Sequence, residues 1–97
     1  MIRAYTGETV KFESDAYESG VLDTAVAKFA MKNQETGVIV VEKDCSIVDD
    51  KITVKLDSDE TVVAGKYMCE IRIKVNDETD SVLYQRLILT DAIMKVI

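Results

Sequence analysis

Few side chains in this 97-residue chain could do chemistry, and most of those are carboxylates. Asp57-Ser58-Asp59-Glu60 is similar to the front of a calcium loop. It lacks the glycine that turns an EF-hand loop and the distal bidentate glutamate, and its flanks alternate like strands, so it reads as a solvated loop. Asn76-Asp77-Glu78-Thr79-Asp80 reads the same way, as a hairpin turn. A glycosidase-type carboxylate pair needs one acid whose surroundings raise its pKa. Nearly all acids here fall in loops or on polar faces. Histidine is absent, which removes the commonest general base and metal ligand together. No serine, cysteine or lysine sits in a recognisable nucleophile motif. The sequence therefore predicts no enzyme, no metal, no cofactor and no small-molecule substrate.

Two thiols remain, Cys45 and Cys69. Their spacing permits a bridge, but synthesis in a cytosol favours free thiols, and Cys69 reads as a small buried apolar residue. A formal charge of −6 with no basic, aromatic-rich stripe argues against nucleic-acid binding. No apolar run approaches the roughly 20 residues that span a bilayer. Met1-Ile2-Arg3 opens directly into an alternating segment without a secretory signal, so the product is expected to stay in the cytoplasm that makes it unless it is carried out inside an assembly.

The element that organises the chain is the run Gly65-Lys66-Tyr67-Met68-Cys69-Glu70-Ile71-Arg72-Ile73-Lys74-Val75. Tyr67, Cys69, Ile71, Ile73 and Val75 share one face, while Lys66, Glu70, Arg72 and Lys74 share the other, which is the pattern of a half-buried antiparallel strand. Gly-x-Tyr-x-Cys at its start is similar to the tyrosine corner of immunoglobulin-type sandwiches, where the ring packs inward and its hydroxyl bonds back to the preceding loop. Clusters of Gly, Asn, Asp and Ser divide the rest into strands over 2–6, 9–16, 24–32, 38–43, 51–56, 66–75 and 81–90. The inward faces are expected to be Ala25, Ala27, Phe29 and Met31 in the third, and Ile52, Val54 and Leu56 in the fifth. Alternation falters at Arg86-Leu87, which suggests a bulge that flips the facing of the last strand. Residues 1–97 thus read as one domain, an all-β, immunoglobulin-like antiparallel β-sandwich of about seven strands.

The order of these segments resembles the N-terminal immunoglobulin-like domain of the tailed-phage baseplate upper protein family. The likeness is carried by Thr6-Gly7-Glu8-Thr9-Val10-Lys11-Phe12, by Thr24-Ala25-Val26-Ala27-Lys28-Phe29-Ala30-Met31-Lys32, by Gly37-Val38-Ile39-Val40-Val41, and by Cys45-Ser46-Ile47-Val48-Asp49 with Lys51-Ile52-Thr53-Val54-Lys55-Leu56. The last block is Glu60-Thr61-Val62-Val63-Ala64-Gly65-Lys66-Tyr67-Met68-Cys69-Glu70-Ile71-Arg72-Ile73, and its most specific part is Ala64-Gly65-Lys66-Tyr67. The resemblance implies a virion structural protein of a baseplate, tail or capsid surface, acting by protein–protein docking. Its partners would be other virion proteins or further copies of itself. A bacterial adhesion or carbohydrate-binding sandwich is the alternative, and it would call for secretion and clustered exposed aromatics.

Interface candidates follow from exposure. Five of the last six residues are apolar, and Ile93, Met94, Val96 and Ile97 are costly to leave in water, so they are expected to pack on a neighbouring subunit. Tyr5, Tyr17 and Tyr84 are candidates because tyrosine is enriched at contacts. The first and last strands are expected to offer unpaired backbone for edge pairing.

Overall fold

The computed structural model describes residues 1–15, 25–49, 51–75 and 78–91. Among them eight strands form: β1 (Ile2–Tyr5), β2 (Val10–Asp15), β3 (Ala25–Asn33), β4 (Ile39–Asp44), β5 (Ser46–Val48), β6 (Lys51–Leu56), β7 (Gly65–Val75) and β8 (Glu78–Thr90). A 3-10 turn, η1 (Ser58–Glu60), lies between β6 and β7. The strands make a five-stranded sheet in the order β1-β8-β7-β3-β4 and a three-stranded sheet in the order β2-β6-β5. With β7 as the tyrosine-corner strand, this all-β sandwich sets a G-F-C-C′ sheet against the B-E-D sheet of the immunoglobulin type.

Period-two alternation builds the core. Ala27, Phe29 and Met31 of β3, Ile52, Val54 and Leu56 of β6, and Tyr67, Cys69, Ile71 and Ile73 of β7 are all buried, with Ala25 and Val75 partly so. Val10 and Phe12 of β2 and Leu87 and Leu89 of β8 complete it. The two layers meet where the Phe12 and Phe29 rings lie 5.2 Å apart, tilted by 39°. That separation lies within the range in which aromatic pairs attract, in a tilted arrangement between stacked and edge-to-face.

Four expectations are corrected. The larger sheet is mixed, because β1 runs parallel to β8, pairing Ile2 with Leu87 through Tyr5 with Thr90. An eighth strand is present, since Ser46–Val48 forms a short antiparallel ladder with β6 that reading by alternation passed over. No bulge lies at Arg86-Leu87, whose register against Met68 and Tyr67 is continuous. Alternation only looked broken there because polar Gln85 shares the inward face with Leu87 and Leu89, while apolar Val82 and Ile88 lie on the outer one. The register shift falls instead between Ile73 and Lys74, opposite Ser81 and Thr79. Finally, of the two strands expected to offer open edges, the first does lie at the edge of its sheet, but the last is flanked by both β1 and β7 over 87–90.

The tyrosine corner forms as expected. The Tyr67 hydroxyl donates to the Val63 carbonyl at 2.7 Å. Its ring lies over Gly65, at 3.5 Å from where a Cβ would stand, and Gly65 takes φ +157°, a conformation that L side chains rarely adopt. The buried Thr61 hydroxyl donates to the Glu8 carbonyl at 2.7 Å, and the Gly7 amide donates to the Thr61 carbonyl at 3.0 Å. Residues 61–64 are thereby held at both ends on the sandwich.

Candidate docking surface

The acidic segment that could have been a metal site is organised around an internal cation. Asp57, Asp59 and Glu60 bring carboxylate oxygens within 4.8 Å of one another. Lys43 reaches in from β4, donating to Glu60 Oε1 at 2.5 Å and to the Lys55 carbonyl at 2.7 Å, with Asp57 Oδ2 at 3.9 Å. The Asp57 amide also donates to Glu60 Oε1, at 2.9 Å. These contacts hold the Glu60 carboxyl below its ordinary range, the Lys43 hydrogen bond being the largest cause. The ammonium takes the place a cation would seek, and ties the edge of one sheet to the end of the other.

Neither thiol is poised for reaction. Both are free; burial pushes Cys69 up to about 12 and, with help from the Asp44 charge, Cys45 up to about 11. A thiolate is scarce at neutral pH in either position.

The feature that stands out is an apolar edge. Among the described residues β4 pairs only with β3, and it closes one side of the five-stranded sheet. The hairpin leading into it is set by Asn33, whose side-chain oxygen accepts from the Glu35 and Thr36 amides at 2.9 and 3.1 Å, and by Gly37 at φ +73°. Met31 pairs with Val41 and Lys32 with Ile39, so Val40 is an extra residue in an edge bulge. Val38, Ile39 and Val40 are 58%, 44% and 50% exposed. Ile39 sits opposite Lys32 on the outer face of the sheet, whereas Val40 borders a cleft also lined by Val62 and Val63, which are 61% and 64% exposed. The cleft between them holds about 470 Å³ and is floored by Met31, Val41 and Tyr67. Glu42 and Asp59 give its rim an acidic character. Open backbone groups beside branched aliphatics form a template for another strand.

Of the residues singled out from sequence, Tyr5 and Tyr84 are exposed, on the outer face of the five-stranded sheet. Tyr5 pairs with Thr90, well beyond Tyr84 on β8, so the rings stand about 20 Å apart along the strand and form no shared stacking platform. Ile93, Met94, Val96, Ile97 and Tyr17 lie outside the described residues. The valine edge was missed in reading the sequence. Its signal was present in Val38-Ile39-Val40-Val41, an apolar run without alternation, and in the consecutive Val62-Val63 of a loop.

No family model, curated protein or solved structure matches the chain. Among the described residues no helix is long and apolar enough to cross a membrane.

Proposed function

We propose that the chain is a non-enzymatic docking module of a tailed-phage or prophage virion, attached through the β4 edge to another virion protein. The observation that carries the docking part is the exposed aliphatic edge Val38-Ile39-Val40, whose Val40 borders the same cleft as the exposed Val62 and Val63. The virion part rests on the likeness of the 60–73 block, above all Ala64-Gly65-Lys66-Tyr67, and of the preceding strands to baseplate upper proteins. In this reading an extended segment of the partner adds beside β4, taking its open backbone groups, and lays branched side chains into the valine cleft. Basic residues flanking that segment would meet Glu42 and Asp59.

The groups that could have supported catalysis have structural uses. Glu60 and Asp57 gather around Lys43, the thiols are buried or half-buried, and Glu70 lies near Lys32 and Arg72 at 3.6 and 3.7 Å. The test is to purify phage particles from cells making the tagged chain, and from cells making the chain with Val40→Lys and Val62→Lys. Wild type is expected in the particles and the double variant, folded by circular dichroism, is expected to be lost from them. Absence of wild type from particles would end the virion reading, and retention of the double variant would end the role of the edge.

A further inference from the structure

The outer face of the five-stranded sheet carries a charge opposite to that of the whole chain. The sequence has a formal charge of −6 and no basic run, yet the sheet assembles a basic stripe from strands far apart in sequence. Over β3, β7 and residues 82–90 of β8, the side chains turned away from the core include Lys28, Lys32, Lys66, Arg72, Lys74 and Arg86, against a single carboxylate, Glu70.

Register sets these cations in rows across the sheet. Lys66 stands beside Ile88 in the first row, and Lys32 and Arg86 flank Met68 in the second. Glu70 lies between Ala30 and Tyr84 in the third, Lys28 and Arg72 are directly opposite each other in the fourth, and Lys74 stands beside Val26 in the fifth. Successive rows are about 7 Å apart, the length of two residues of strand. Like charges placed opposite one another, as Lys28 and Arg72 are, cost stability, and an anion laid over them relieves that cost.

Glu70 does not neutralise the stripe. Its carboxylate is only 12% exposed, 3.6 Å from the Lys32 ammonium and 3.7 Å from the Arg72 guanidinium. Lys28, Lys66, Lys74 and Arg86 are exposed and have no ion-pair partner among the described residues. The smaller sheet treats its cations differently, since Lys11 pairs with Glu13 at 3.0 Å and Lys55 lies 3.6 Å from Asp57.

We propose that this stripe receives an extended acidic segment of another protein, with carboxylates at alternate positions and a neutral residue at its centre. Side chains on one face of an extended segment recur at the same interval of about 7 Å as the rows. Carboxylates at the first, third, seventh and ninth positions therefore meet Lys66, the row of Lys32 and Arg86, the row of Lys28 and Arg72, and Lys74 in turn. The central residue lies over Glu70, where a charge would be repelled and the exposed Tyr84 offers a hydroxyl. A nucleic-acid strand fits less well. Its phosphates cannot skip the row held by Glu70, and Tyr84 alone gives no series of rings for successive bases. Glu35 and Glu78, exposed at the two ends, repel a charged backbone that runs on past the stripe.

The stripe does not use the β4 edge, so its failure leaves the docking role of β4 untouched. The test follows amide chemical shifts of the full chain during titration with a synthetic peptide of about nine residues that alternates glutamate with threonine and keeps threonine at the centre. At about 0.15 M salt the peptide is expected to bind, with shifts confined to β3, β7 and β8. The double variant Lys28→Glu, Arg86→Glu is expected to weaken binding at least about tenfold with unchanged circular dichroism, and a peptide with glutamine for glutamate is expected not to bind. The proposal is overturned if the acidic peptide does not bind, if the double variant or the glutamine peptide binds equally well, or if the shifts centre on β2 and β6. It is also overturned by an oligothymidylate of equal charge that binds more tightly, which makes the stripe a nucleic-acid surface. Self-association of the full chain that the double variant abolishes overturns it as well, because the occupant is then a second copy.

Discussion

Tyr67 and Val63 are joined by a 2.7 Å hydrogen bond that runs from the floor of the core to an exposed loop. Because Tyr67 is itself only 3% exposed, this bond fixes Val62 and Val63 against the sandwich and sets the far wall of the valine cleft. Tyr67→Phe is expected to cost about 1 kcal/mol, the usual net value of one such bond. Amide exchange in 61–64 should rise with it. Tyr67→Ala removes the buried ring as well and should cost about 3–5 kcal/mol in denaturant melts.

Phe12 and Phe29 connect the two sheets, with ring centroids 5.2 Å apart. Phe29→Ala is expected to cost about 3–5 kcal/mol. A double-mutant cycle with Phe12→Ala should give a coupling of about 0.5–1.5 kcal/mol beyond lost area. Additive losses would mean the layers are held by other contacts.

The Lys43–Glu60 pair predicts a specific acid limb. Glu60 has a folded-state pKa below its ordinary 4.5, so its contribution is fully present above that value and is lost as pH falls through the lower folded value. The stability gap between wild type and Glu60→Gln should therefore be flat above about pH 4.5 and close on further acidification. A gap that widens in acid would place Glu60 in different company.

Reductant should leave the melting temperature unchanged, because Cys45 and Cys69 are free thiols. With Cys69 pushed up to about 12 by burial, thiol reagents should label it only on unfolding. Intact mass before and after reduction checks the first point, and labelling across a melt checks the second.

Strands whose two faces differ in polarity were legible from sequence. β6 begins and ends where alternation places it, and the buried faces of β3 and β7 are those read from period two. Neighbour relations were not legible, because alternation says which way a side chain points and nothing about what lies beside the backbone. Hence the parallel β1–β8 pairing and the edge position of β4 emerged only from the fold. Ser46–Val48 escaped for a related reason, as so short a strand is too brief to display a period. Thr61 offered no signal of its own: its buried hydroxyl bonds to Glu8, far away in sequence. The same limit hid the candidate site, since Val40 and Val62-Val63 line one cleft only when the β3–β4 hairpin and the tyrosine corner are brought to one end of the sandwich.

Amide exchange on assembled and free protein reads most directly whether β4 is a docking edge. In particles carrying the chain, the amides of residues 39–42 are expected to exchange far more slowly than in the isolated protein, while those of the central β7 stay equally protected in both. Equal exchange at β4 in the two states would contradict a strand added there.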